Sequence, residues 1–157
     1  DGDVAEWAAG TAADDRVAFL ESRKAAAAKG ATAEFNKMEG VNINYAAAAD
    51  GTVPHMVMAM SDISGGMADT AGDIQLETNR CGVVYRMALD TASWDTTRME
   101  PLVAGGPYDA TATVNQCSTD SISNPDNVLV LNDGRVVIGE DTGKHENNMI
   151  WVYTPAN

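Results

Sequence analysis

The sequence predicts a mainly β fold, and three observations support this prediction. Two runs of β-forming residues, 128–131 and 135–138, flank Asn132-Asp133-Gly134, a combination typical of a tight antiparallel hairpin. Similar short runs recur from residue 39 onward, separated by turns rich in Gly, Pro and Asp. An apolar fraction of 45% in 157 residues is enough for one domain with a real core.

The elements follow one another in a simple order. Residues 4–7 favour a short strand. Thr11 and Asp14 resemble a capping box that begins a helix over residues 12–29, and Gly30 is placed to end it. Further strands are predicted at 41–45, 53–60, 82–89, 97–103, 128–131, 135–138 and 149–153, with a turn at Asp50-Gly51 between the first two.

Two of these segments are related by an internal repeat. Residues 39–62 and 126–141 both run carboxylate, strand, Asp-Gly turn, strand, carboxylate, with 60–62 matching 139–141. Two further strands follow the first unit, so a full unit is four-stranded, as in the blades of a β-propeller. The predicted fold is therefore a partial β-propeller of about one and a half to two four-stranded antiparallel blades, with one N-terminal-side helix.

The whole chain, 1–157, is predicted to be a single partial propeller domain. It comprises the helix at about 12–29, one blade at about 39–106 and the next at about 124–154. A formal net charge of -13 disfavours binding to nucleic acid or to an anionic membrane. No apolar run approaches the roughly 20 residues of a membrane-spanning helix.

The ends of the predicted hairpin carry the first candidate site. Asp126 precedes its first strand, and Glu140 and Asp141 follow its second, so the three carboxylates are expected to crowd one rim. Crowded carboxylates favour a hard cation such as calcium. Glu39 is the repeat equivalent of Asp126 and is expected to reach the same place. The alternative is that these carboxylates cap turns by accepting bonds from nearby amides.

Other residues allow more than one interpretation. Cys81 and Cys117 either form one disulfide in an oxidising compartment or pack as small apolar side chains. His145 is predicted to be a surface side chain in a polar loop, with phosphate contact by Lys144 or His145 as the alternative. The alternating methionines of residues 56–60 indicate a core-facing strand surface rather than a soft copper site.

Several segments, in order, resemble one known family. Residues 23–32 resemble a helix of that family that ends in Leu-Gly-Ala-Thr. Asn36-Lys37-Met38-Glu39 resembles the family's segment Asp-Arg-Pro-Glu. Residues 82–86 and 103–106 are similar to later strands, and 124–141 to a segment containing Pro-Asp-Gly and Asp-Gly-Arg. The family is the PhoX-type alkaline phosphatases, secreted β-propeller enzymes, and the resemblance is to its C-terminal portion.

The resemblance implies a metal-dependent phosphate site. In the family, calcium and iron ions at the propeller centre bind phosphate and activate an oxygen nucleophile. By this resemblance, Glu39 and Asp126 or Asp141 are metal ligands, and Lys37 replaces an arginine that faces the phosphate. Cys81 and Cys117 do not match the family's iron-binding cysteine. This chain alone is therefore expected to lack part of the metal cluster.

Three functions follow as hypotheses. The chain is the C-terminal portion of a secreted phosphomonoesterase, inactive alone; a structural or accessory subunit of a larger periplasmic or organelle-lumen assembly; or a calcium-stabilised binding module. An extracytoplasmic location is expected in each case. The expected partners are the remaining propeller blades or other protein subunits that cover open strand edges, and a phosphate ester if the chain is active.

Overall fold

The computed structural model describes residues 2–10, 16–50 and 53–155, which form two compact units, Asp1–Phe35 and Asn36–Asn157. The first unit contains three short helices, α1 (Gly2–Ala8), α2 (Val17–Leu20) and α3 (Ser22–Ala28). No helix in the part of the chain that is described is long and apolar enough to cross a membrane.

The predictions for the first unit are only partly correct. The predicted strand at 4–7 is wrong, because these residues lie in α1. The single predicted helix is interrupted at Glu21, whose ψ of 46° is not helical, and residues 12–15 lie outside the described residues. Gly30 does end α3: with φ of 81°, it donates to the Ala27 carbonyl while Ala31 donates to the Ala26 carbonyl, both at 3.0 Å.

The second unit contains two antiparallel sheets, which confirms the predicted mainly β class. The four-stranded sheet has the order β1 (Met38–Ile43), β2 (His55–Met60), β3 (Val83–Ala88), β4 (Glu100–Ala104). The three-stranded sheet has the order β5 (Pro125–Val130), β6 (Val136–Glu140), β7 (Ile150–Tyr153). Each strand pairs with its neighbour in sequence, so both sheets are simple meanders.

The connections of the two leading hairpins differ. The β5–β6 turn is the tight hairpin that the sequence predicts: Gly134, with φ of 84°, donates to the Leu131 carbonyl at 2.9 Å. Between β1 and β2 the chain instead forms a helix, α4 (Tyr45–Asp50). Asp50 of the predicted turn ends this helix, and Gly51 lies outside the described residues.

The hydrophobic core of the second unit lies between the two sheets. It combines Val57 and Val84 of the larger sheet with Val136 and Ile138 of the smaller one, all at most 2% exposed. A second cluster covers the opposite face of the larger sheet and includes Met60, with Met58 packed against it. The core interpretation of these alternating methionines is therefore confirmed for Met58 and Met60.

Candidate functional site

A cavity of about 390 Å³ opens where β1 and β5 begin and where β2 and β6 end. We call it the strand-end cavity. It is lined by Lys37, Glu39, Ser61, Asp62, Asn124, Asp126, Asp141 and Lys144. Four carboxylates and two amines share this space, so the lining has a negative formal charge. The structure thus brings together all four residues that the resemblance assigns to metal or phosphate.

Glu39 and Asp126 reach the cavity from equivalent irregularities in their strands. The pairing register shifts between residues 38 and 41 in β1 and between 125 and 127 in β5, which leaves one extra residue on each leading strand. Such a bulge bends the strand and re-aims a side chain. Glu39 accepts a hydrogen bond from the Ser61 hydroxyl at 3.2 Å, and Asp126 one from the Asn127 amide group at 2.6 Å.

Lys37 and Asn124 are also equivalent, each immediately preceding a leading strand. Both adopt the left-handed backbone conformation, with φ of 53° and 43°. The Lys37 carbonyl accepts from the Ser61 amide at 3.0 Å, and the Asn124 carbonyl from the Asp141 amide at 3.2 Å. These matching bonds show that the repeat extends to the backbone of the site.

The same bonds correct the predicted alignment of the repeat by one residue. Asp141 is the structural equivalent of Ser61, not of Asp62. Because side chains alternate along a strand, this shift places Glu140 on the core face of β6 together with Val136 and Ile138. The prediction that Glu140 lies on the open rim is therefore wrong.

Glu140 and His145 instead form a buried pair behind the cavity. Their side chains are 0% and 1% exposed, and Nδ1 of His145 lies 3.0 Å from Oε2 of Glu140. Glu140 also accepts from the indole of Trp151 at 2.7 Å and from the amides of Ser123 and Met149 at 2.8 and 3.0 Å. The predicted surface position of His145 is thus wrong, since it anchors the loop that carries Asp141 and Lys144.

Asn124 and Gly40 hold the two sheets together at the cavity. The Asn124 side chain donates to the Ser61 carbonyl and to the Arg80 carbonyl, the latter at 3.2 Å, and accepts from the Thr142 hydroxyl at 2.6 Å. A methyl group on Gly40 would overlap the Asp126 carbonyl oxygen. The absence of a side chain at Gly40 is what lets β1 approach β5 so closely.

Asp62 is the most buried carboxylate of the cavity, with its side chain 13% exposed. Its Oδ2 lies 3.6 Å from the guanidinium of Arg80 and 3.6 Å from the ammonium of Lys144. Within the described residues its Oδ1 is buried and has no hydrogen-bond donor. Buried oxygens without donors are rare and require an explanation.

Lys144 lies beside the same oxygen of Asp62 as the more exposed Arg80, with its own side chain 22% exposed. Its ammonium donates to the Arg80 carbonyl and is 5.8 Å from the centre of the Tyr108 ring. Burial lowers the pKa of Lys144, Asp62 opposes this shift, and the charges of Arg80 and Lys37 add to it. Lys144 and Lys37 are therefore close enough to influence each other.

The lining residues fit a hard divalent cation by charge and donor type. Carboxylate and amide oxygens are the ligands that calcium prefers, and the donor-free Oδ1 of Asp62 is a vacant acceptor. The described residues contain no group of three His, Cys, Asp or Glu side chains already gathered to hold a metal. Cys81 and Cys117 form a disulfide, so neither provides a thiolate ligand.

Comparison with known proteins places this chain in a phosphatase-related family. The sequence model of the family described as Alkaline phosphatase PhoX matches residues 3–156, and the chain belongs to that family. Members of the family are typically secreted and generally metal-dependent. Neither a curated protein nor a solved structure matches the chain significantly.

Sequence reasoning did not single out Asp62 as a site residue, although Asp62 closes the first repeat unit. Its burial depends on Arg80 and Lys144, which are distant in sequence. The sequence marks Asn124 only as part of a motif, because its role as a bridge between the two sheets depends on the tertiary structure. For Lys144, the sequence offers phosphate contact only as an alternative interpretation.

Proposed function

We propose that the strand-end cavity binds phosphate monoesters with the help of a hard divalent cation, as a phosphatase-related site. The observation that carries this proposal is the donor-free, buried Oδ1 of Asp62 in a cavity that also contains Glu39, Asp126 and Asp141. An incoming cation would supply the missing partner for this oxygen and reduce the repulsion between carboxylates.

The residues have distinct roles in this proposal. Asp62, Glu39, Asp126 and Asp141 hold the cation, which is calcium, with iron as a second ion by family resemblance. When bound, the cation neutralises phosphoryl oxygens and lowers the pKa of a coordinated water molecule. Lys37 faces the phosphate as a point charge, without the bidentate geometry that an arginine would provide.

We expect binding without turnover by this chain alone. Support comes from the donor set, since no three His, Cys, Asp or Glu side chains of the described residues form a group ready to hold a metal ion. Catalysis of phosphoryl transfer depends on accurate positioning of charge, and a loosely gathered ligand set does not provide it.

Calorimetric titration tests the proposal. Calcium is titrated first, and inorganic phosphate is then titrated with and without saturating calcium. We expect phosphate binding to require calcium, and Glu39→Gln to weaken calcium binding by about tenfold or more, as for loss of a charged ligand. Phosphate binding that is absent, or that is independent of calcium, would contradict the proposal. Calcium-dependent hydrolysis of a chromogenic phosphomonoester would instead establish the chain as an active enzyme.

A structural role in a larger assembly is the second candidate, and an open strand edge favours it. In the described sheet, β7 pairs only with β6, while Ile150 and Val152 on it are 77% and 54% exposed. We propose that the two sheets are neighbouring blades of a propeller and that a strand from another blade or subunit pairs with β7. Sedimentation velocity is expected to show self-association. A monodisperse monomer that melts cooperatively would overturn this candidate.

We also propose that the protein is extracytoplasmic. Its compartment is then a periplasm, an organelle lumen or the medium. The Cys81–Cys117 disulfide supports it, because such bonds persist mainly in oxidising compartments.

A further inference from the structure

We propose that Lys144 is a second phosphate-binding cation, held on Asp62 until a divalent cation takes its place. This inference rests on the proposed function of the strand-end cavity and adds a residue and an order of events to it. The ligand class is a phosphate monoester dianion, and inorganic phosphate is the probe for its phosphoryl group.

The two cations around Asp62 leave one of its carboxylate oxygens without a partner among the described residues. Both of its neighbouring cations, Arg80 and Lys144, lie beside the same oxygen, Oδ2, at 3.6 Å, while Oδ1 has no donor in the described structure. The carboxylate is therefore neutralised from one side only. A divalent cation on Oδ1 would compete for the same negative charge and weaken the attraction between Asp62 and Lys144.

Lys144 is anchored through its backbone, while its ammonium group has fewer restraints. Its backbone is fixed, since its amide donates to the Thr142 hydroxyl at 2.9 Å and its carbonyl accepts from the Cys117 amide at 3.2 Å. Among the residues that the structure describes, its ammonium contacts only Asp62, the Arg80 carbonyl and, at a greater distance, the Tyr108 ring. A lysine side chain has a flexible four-carbon stem, so the charge can move while the loop stays in place.

Lys37 brings a second ammonium group to the strand-end cavity. Lys37 and Lys144 line the same cavity from different sheets, and their charges influence each other. The four carboxylates of the cavity balance these two ammonium groups, and a divalent cation bound to the carboxylates would leave both ammonium charges available to an anion. A phosphate dianion suits this arrangement, because its several oxygens accept charged hydrogen bonds from both sides.

Arg80 offers a matched control. It makes the same 3.6 Å pair with Asp62 Oδ2 as Lys144 does, but its side chain is 52% exposed and does not line the cavity. Lys144→Met and Arg80→Met therefore remove equivalent partners of Asp62. Only Lys144→Met removes a charge that can reach the phosphate.

The experiment compares the full chain with both variants by calorimetry. In saturating calcium, Lys144→Met is expected to bind inorganic phosphate about tenfold or more weakly, as for loss of one charged hydrogen bond. Arg80→Met should stay within about threefold of the unsubstituted protein. Lys144→Arg, which keeps the charge, should recover most of the affinity, and circular dichroism verifies that each variant is folded.

Calcium titration tests the competition separately. Lys144→Met is expected to bind calcium several-fold more tightly, because the competing ammonium is gone. Unchanged or weaker calcium binding would overturn the competition, and equal phosphate affinities for Lys144→Met and Arg80→Met would overturn the role of Lys144. If the unsubstituted protein binds no phosphate even with calcium, the proposed function itself fails, and this inference fails with it.

Discussion

At the scale of single residues, backbone strain at Lys37 is the first testable feature. At a φ of 53°, a residue with a side chain raises the free energy of the folded state by about 1 kcal/mol relative to glycine. Lys37→Gly is therefore expected to raise the free energy of unfolding by about 1 kcal/mol over Lys37→Ala, while both variants lose phosphate affinity. Urea denaturation measures the difference. Equal stabilities for the glycine and alanine variants would mean that the backbone is relaxed there.

The imidazole of His55 predicts a pH dependence of stability. Burial lowers the pKa of His55, and the charge of Arg86 lowers it further. Protonation of His55 is therefore easier in the unfolded chain than in the folded protein. The contribution of neutral His55 to the free energy of unfolding is fully present above the ordinary pKa of about 6.5, and it is lost as the pH falls through the lower pKa of the folded state. His55→Gln should remove that loss. We expect the stability difference between pH 7.5 and 5.5 to be smaller in the variant; an unchanged difference would contradict this.

The buried carboxylate of Glu140 predicts a large loss of stability on substitution. Its two oxygens accept four hydrogen bonds, and Glu140→Gln turns one acceptor into a donor that faces other donors. We expect unfolding in urea to show a loss of about 3 kcal/mol or more. Exposed Glu146 in the same loop is the control, and Glu146→Gln should change stability by less than about 0.5 kcal/mol.

The sequence could predict which residues approach the site but not how deeply each is buried. Glu39 and Asp126 were found because each precedes a leading strand, which is a local signal. Glu140 and His145 look like ordinary polar loop residues. Their burial depends on a one-residue register and on partners such as Ser118 and Trp151, which sequence periodicity does not reveal.

At the scale of elements, the close approach of β1 to β5 at Gly40 is testable. A side chain at Gly40 would meet backbone atoms of β5, including the α-carbon of Asn127 at 3.0 Å, and backbone cannot move aside cheaply. Gly40→Ala is expected to destabilise the protein by about 1–3 kcal/mol and to weaken calcium binding by separating Glu39 from Asp126.

Gly143→Ala is the matched control for this substitution, because no atom lies within 4 Å of an added methyl group there. Thermal unfolding and calcium titration of both variants provide the comparison. If Gly40→Ala behaves like Gly143→Ala, the distance between the two strands is not set by this glycine.

Elements with strong local signals were predictable, and one further signal was overlooked. The β5–β6 turn and the end of α3 follow from glycines with positive φ. α4 has an equally local origin, since the Asn44 side chain accepts from the Ala47 amide at 2.9 Å and a run of alanines follows. The predicted turn rests on Asp50-Gly51 alone, whereas Asn44 is the residue that caps a helix.

At the scale of the whole molecule, the disulfide connects stability to the site. Cys81 follows Arg80, whose carbonyl accepts from Asn124 and Lys144, and the Cys117 amide donates to the Lys144 carbonyl. Closing a loop with a sequence separation of 36 stabilises the fold by roughly 4 kcal/mol in the chain-entropy description.

Reduction is therefore expected to lower the urea midpoint and to weaken phosphate binding before global unfolding. Titration of two free thiols verifies the reduction, and the double variant Cys81→Ala with Cys117→Ala should behave like the reduced protein. An unchanged urea midpoint with two titratable thiols would show that the disulfide does not support the fold.

The packing of one sheet on the other was beyond prediction, because it depends on contacts distant in sequence. The bond from the Val130 amide to the Asn42 side chain, at 3.0 Å, is an example. Nothing in the composition of either strand specifies such a pairing. The repeat nevertheless indicated that corresponding strand ends would meet, because equivalent units place equivalent positions side by side.

The tight turn at Gly134 has a practical consequence for studying this protein. It lies at the opposite end of β5 and β6 from the candidate site, and five strand residues separate the two by about 17 Å. Exposed hairpin tips tolerate insertions well. A short peptide tag or a fluorophore grafted between Asp133 and Arg135 is therefore expected to leave the residues of the candidate site untouched, so that the labelled protein serves for the binding experiments.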